Sequence, residues 1–68
     1  MFVETNSYGV VDLQLIGIVR NVKVFEMYHS ETDEYYGTFE TELAEEHITP
    51  CIIENTIIKS RTINLCNG

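Results

Sequence analysis

Apolar and polar residues alternate with a period of two along much of the chain, and that period predicts strands. Phe2–Thr5 reads as a short first strand. A turn follows at Asn6-Ser7-Tyr8-Gly9, whose Asn and Gly tolerate left-handed backbone. Val10–Val19 reads as the central strand, with Val11, Leu13 and Leu15 on a core face and Asp12 and Gln14 between them. Ile16 and Ile18 then carry the apolar positions onto the opposite parity. Gly17 sits at that slip and predicts a bulge that re-aims the strand, the alternative being a strand covered on both faces.

Arg20-Asn21 reads as a two-residue turn into Val22–His29. In that strand Phe25 and Met27 share one face, and Val22, Val24, Glu26 and Tyr28 the other. Ser30–Glu34 is a polar loop. Tyr35–Leu43 alternates again, which places Tyr35, Phe39 and Leu43 on one side with Gly37 and Thr41, and Tyr36, Thr38, Glu40 and Glu42 on the other. Packing Phe25 and Met27 beside Phe39 makes a hairpin whose outer face carries Glu26, Tyr28, Tyr36, Glu40 and Glu42. Residues 41–48 compete between that strand and a two-turn helix with Thr41 as its cap, acids in its first turn, Leu43 and His47 facing inward, and Pro50 ending it. Beyond Pro50, Cys51–Ile53 and Thr56–Leu65 read as β.

Composition agrees with the pattern. Val, Ile, Thr, Tyr and Phe fill 28 of 68 positions while Ala occurs once, so the chain favours a pleated, half-buried surface over helix. The expectation is a single domain over residues 1–68, mainly β with α+β as the alternative. It takes the form of a small antiparallel sheet or partly open barrel of 4–6 strands with one short helix near residues 41–48. A chain this short buries only about 60% of its unfolded surface. Disulfides, metals or a second subunit commonly make up the difference.

Charge changes the picture most. Glu26–Glu46 holds eight of the eleven carboxylates, namely Glu26, Glu31, Asp33, Glu34, Glu40, Glu42, Glu45 and Glu46, and no Lys or Arg occurs between Val24 and Ile58. Crowded like charges destabilise a compact state, so the cluster points to a basic partner. Solvated charge runs are also common on soluble proteins, and that reading competes. A net charge of −7 with four scattered cations excludes nucleic acid and anionic membrane as direct ligands. Tyr28, Tyr35 and Tyr36 are interleaved with the acids, and tyrosine is both a good strand residue and a common anchor at interfaces.

Motifs for chemistry are missing. The glycines are isolated, so no phosphate-binding loop exists, and neither cysteine lies in a CxxC pair. His29 with Glu31, Asp33 and Glu34 is the one candidate metal cluster, but it lacks the spacing and turn glycine of an EF-hand and reads as a solvated loop. His47 beside Glu45 and Glu46 invites a general-base reading, yet so small a chain has little room for a closed pocket. The chain is therefore expected to be no enzyme and to hold no cofactor or metal. Its N-terminus has no basic and apolar leader pattern, and no apolar run spans a bilayer. It reads as a short complete frame kept in a cytoplasm, where Cys51 and Cys66 are reduced thiols rather than a disulfide.

In size, acidity and lack of motifs, the whole chain resembles the small DNA-mimic inhibitors that bacteriophages make against host proteins. The resemblance implies a protein that blocks the basic nucleic-acid-binding surface of a host protein, for instance a nucleoid protein, within the bacterial cytoplasm. Carboxylates on neighbouring strands would stand in for phosphates, with Glu26, Tyr28, Glu31, Asp33, Glu34, Tyr36, Glu40, Glu42, Glu45 and Glu46 as the contact set. The rival expectation is a β-rich interaction or assembly module whose acids only aid solubility. A thin core and unpaired sheet edges further predict a homodimer through Val10–Val19 or Thr56–Leu65.

Overall fold

The computed structural model describes the backbone of residues 1–67 and the side chains of residues 1–61. Four strands, β1 (Phe2–Glu4), β2 (Val10–Val19), β3 (Val22–His29) and β4 (Tyr35–Thr41), form an antiparallel meander in the order β1-β2-β3-β4. A short 3-10 turn at Glu45–His47 leads to one helix, α1 (Pro50–Asn67). The sheet is open, and α1 packs against both of its edge strands, β1 and β4. One sheet face is therefore covered and the other is bare.

The alternation places the core as expected. Val3, Val11, Leu13, Phe25, Met27 and Phe39 are buried on the covered face, with Phe25 and Phe39 stacked at 6.1 Å. Arg20 and Asn21 both adopt positive φ, 52° and 69°, the tight turn whose twist suits a two-residue hairpin. The β2–β3 register slips between Leu15 and Gly17, so Ile16 is the extra residue of a bulge. Leu15 departs from expectation: it points to the covered face yet is 49% exposed, because α1 does not reach that end of the sheet.

The C-terminal quarter is helical rather than β, and the helix is not at residues 41–48. Thr49 caps α1, with its Oγ1 accepting from Ile52 N at 3.3 Å and its carbonyl from Ile53 N at 3.2 Å. Pro50 starts the helix instead of ending one, since the first helical position needs no N–H. Ile53 and Ile57, one turn apart, are fully buried against the sheet. Burying each contributes roughly 1.5–3 kcal/mol, against at most ~0.7 kcal/mol of unfavourable helix propensity per residue. Burial wins over β-branched composition. Residues 42–44 and 48–49 stay extended or irregular around the 3-10 turn, and Ile48 alone of them enters the core.

On one helix, positions 51 and 66 lie about 22 Å apart at 1.5 Å per residue, too far for a disulfide. Cys51 is free and exposed. The Cys66 thiol lies outside the described side chains, as does the part of the expected Thr56–Leu65 interface beyond Arg61.

Candidate acidic interface

Strand register decides which acids share a surface. Glu4 pairs with Val10, and Asp12 is the next residue of β2 on that face. Asp12 pairs with Tyr28, and Glu26 is the next of β3. Glu26 pairs with Thr38, and Glu40 is the next of β4. The bare face thus carries one carboxylate per strand, Glu4, Asp12, Glu26 and Glu40, each the diagonal neighbour of the one before. Diagonal neighbours sit about 7–8 Å apart, so the four form a row across the whole sheet.

Among the described residues no Lys or Arg occupies this face. Lys23 has the opposite parity and donates to the Leu43 carbonyl at 3.0 Å, Arg20 is in the hairpin turn, and Lys59 and Arg61 belong to α1. The Met1 amine approaches Asp12 Oδ1 at 3.9 Å, and Gln14 Nε2 donates to Asp12 Oδ2 at 3.0 Å, so that one member is held and partly neutralised. Aromatic surface flanks the row. Tyr28 and Tyr35 stand side by side with ring centroids 5.4 Å apart. The Tyr28 phenol is raised above its ordinary value by burial first and then by the Glu26 carboxylate beside it. On the other flank lie Val22 and Val24, paired with Val19 and Gly17. A shallow groove lined by Val22, Glu40, Thr41, Glu42 and Leu43 opens where β3 begins and β4 ends.

Of the ten residues expected from sequence, Glu26, Tyr28 and Glu40 join this face, and Glu42 lines the adjoining groove. Glu31, Asp33 and Glu34 lie apart, in the loop after β3. There His29 Nδ1 accepts from the Glu31 and Thr32 amides at 3.1 and 3.2 Å, and Glu34 is bonded to Arg61 at 2.9 Å. His29 thus shapes its loop, and among the described residues no three His, Cys, Asp or Glu side chains converge as metal ligands do. Glu45 and Glu46 sit in the 3-10 turn, Glu46 3.5 Å from His47.

Tyr36 requires a correction: it is not on the bare face. Met27 pairs with Gly37 and Tyr28 with Tyr35, which leaves Tyr36 as the extra residue of a second bulge. It turns into the core at 8% exposure, edge-on to Tyr8 at 5.6 Å and beneath the Arg61 guanidinium at 5.3 Å, while Tyr35 takes the outer position at 52%. Gly37, with φ +119°, was the available signal, since an isolated glycine in a strand marks a bulge. Glu4 and Asp12 were missed because they lie outside the acidic tract, and only register brings them beside Glu26. No family model, curated protein or solved structure matches the chain.

Proposed function

We propose that the chain binds a basic, nucleic-acid-binding protein through its bare sheet face and competes with DNA for it. This follows the manner of the small acidic bacteriophage inhibitors that the chain resembles. The observation that carries the reading is the row Glu4, Asp12, Glu26, Glu40 on a face that displays no Lys or Arg among the described residues. Its step of about 7–8 Å is close to two of the ~3.4 Å axial rises along a DNA strand. Lys and Arg side chains spaced to grip phosphates therefore meet carboxylates at a matching interval. Tyr28 and Tyr35 add flat, half-apolar surface beside the row, the kind of anchor that fills a partner's pocket. The chain acts by occupying a surface, not by catalysis, and its setting is the cytoplasm of a bacterial host.

A competition assay tests this. DNA labelled and bound to a basic nucleoid-type protein is displaced by the chain at low and at high salt. Displacement should be strong at low salt and weaken steeply as salt rises. Glu26→Lys with Glu40→Lys should weaken it far more than Glu31→Lys with Asp33→Lys, because like charges across an interface cost several kcal/mol. Glu4→Lys should behave like the row members, although it lies far from them in sequence. Equal losses from row and loop reversals would show that net charge alone matters and sink the reading.

A further inference from the structure

Among the described residues, the second half of β2 has no strand on its outer side. β1 pairs only with Val10–Asp12, and Met1 and Leu13 exchange the last bonds along that edge. From Gln14 to Val19, β2 pairs with β3 alone among the described residues. Its backbone edge there is free, and its side chains are apolar and in solvent: Leu15 at 49%, Ile16 at 56%, Ile18 at 60% and Val19 at 63% exposure. Leu15 and Ile18 lie on the covered-face side, through their pairing with Phe25 and Lys23, and Val19 lies on the bare-face side opposite Val22. Natural sheets guard such edges with charge, proline, bulges or covering chain. This edge has a bulge at Ile16 and neither of the first two.

We infer that Gln14–Val19 is a strand-pairing edge whose occupant is the same edge of a second copy, joined antiparallel about a twofold axis. Charge selects that occupant. A chain of net charge −7 repels its own copy from most directions, but no acid occurs between Gln14 and Phe25, where the only charges are Arg20 and Lys23. In an antiparallel pair centred near Ile16 and Gly17, each Arg20 turn arrives opposite the partner's Leu13, where the bonds to Met1 end. The pairing is thus acid-free along its length, and Asp12 at either end is already approached by its own Met1 amine. It also removes the exposed edge from both copies at once, as an isologous contact does. A twofold axis perpendicular to the sheet leaves both bare faces on the same side. The two carboxylate rows then lie on one continuous surface, and this consequence, unlike the pairing itself, rests on the function proposed above.

Sedimentation equilibrium of the full chain, with amide hydrogen exchange on the same samples, tests the pairing. A reversible species of twice the 7.8 kDa chain mass is expected, with the Leu15 and Ile18 region protected only in samples concentrated enough to contain it. Leu15→Lys and Ile18→Lys change side chains already largely in solvent, so circular dichroism should show both folded. Each should raise the dissociation constant at least tenfold, roughly the effect of 1.4 kcal/mol. A species that stays at 7.8 kDa at every concentration, a dimer that both variants leave intact, or an open-ended polymer each overturns the twofold edge. Because the monomeric variants keep their own acid row, they still compete with DNA if the proposed function holds, so the two ideas fail separately.

Discussion

Tyr36 is hemmed in by Tyr8, His29 and the Arg61 guanidinium, with Glu34 tied to that guanidinium from the neighbouring loop. Its neighbour Tyr35 touches only Tyr28 among the rings and stands half in water. Truncating them should therefore have opposite consequences. Tyr36→Ala is expected to cost about 3 kcal/mol or more of folding free energy, the scale for a buried aromatic. Tyr35→Ala should cost under ~1 kcal/mol and appear instead as weaker competition with DNA. Urea titration of both variants checks the first statement, and equal destabilisation would contradict the bulge. Burial pushes the Tyr36 phenol above its ordinary 10.0, the Glu34 carboxylate pushes it further, Arg61 opposes and Tyr8 adds. The folded state therefore keeps this proton to higher pH than the unfolded chain does. Stability from this group is fully present below pH 10.0 and is lost as the pH rises through the folded value. Melting curves across the alkaline range should fall from about pH 10, and Tyr36→Phe should flatten part of that fall.

At the level of elements, two bulges and one cap organise the site. The bulge at Ile16 shifts the parity of β2, so that Ile18 pairs with Lys23 and lies on the covered-face side. The bulge at Tyr36 exchanges two tyrosines between the faces and so chooses which one a partner meets. Gly37 permits it: its φ of +119° excludes most side chains, and an added Cβ would lie 2.9 Å from Ser60 Oγ on α1. The cap at Thr49 turns an Ile-rich, Thr-rich segment into a helix that covers one face and only one. Thr49→Ala removes the side-chain acceptor for the Ile52 amide. It is expected to cost about 1 kcal/mol, read as a lower urea midpoint at unchanged slope. A changed slope would instead mean that α1 detaches and the denaturation is no longer two-state. Strand positions in the first 41 residues were legible because alternation is a local signal. The helix was not, because the doublets Ile52-Ile53 and Ile57-Ile58 satisfy both a strand's composition and a helix face, and only the sheet beneath them decides.

For the molecule as a whole, the acid row is a modest but measurable load. Unit charges about 7–8 Å apart repel by roughly 0.5 kcal/mol per neighbouring pair in water, and ~0.1 M salt, with a screening length of about 10 Å, removes roughly half of it. Three such steps sum to about 1.5 kcal/mol, or less where the Met1 amine offsets Asp12. For a domain of this size, 1 kcal/mol moves the melting temperature by about 4–8 °C. The free protein should accordingly melt several degrees higher at moderate salt than at low salt at neutral pH, the opposite of the salt dependence expected for its complex. A melting temperature that falls as salt is added would show that ion pairs such as Arg61–Glu34 outweigh the repulsion. No helix among the described residues is long and apolar enough to cross a membrane.

The faces of β2 and β3, the turn at Arg20-Asn21, the slip at Gly17 and the excess of acid follow from the chain's own pattern. Each depends on neighbours a few residues apart. What the tertiary structure decided depends on partners far apart in sequence. It set the helix after Pro50, which forms because a bare apolar sheet face lies within reach of Ile53 and Ile57. It exchanged Tyr35 for Tyr36 through a bulge that shows only in the register with β3. It also dispersed the acidic tract, sending Glu34 to Arg61 and Glu45 and Glu46 to a turn, and assembled the row from four strands. Glu4 stands in that row because two strand pairings and the sheet's twofold alternation bring it there, and no local rule counts across strands.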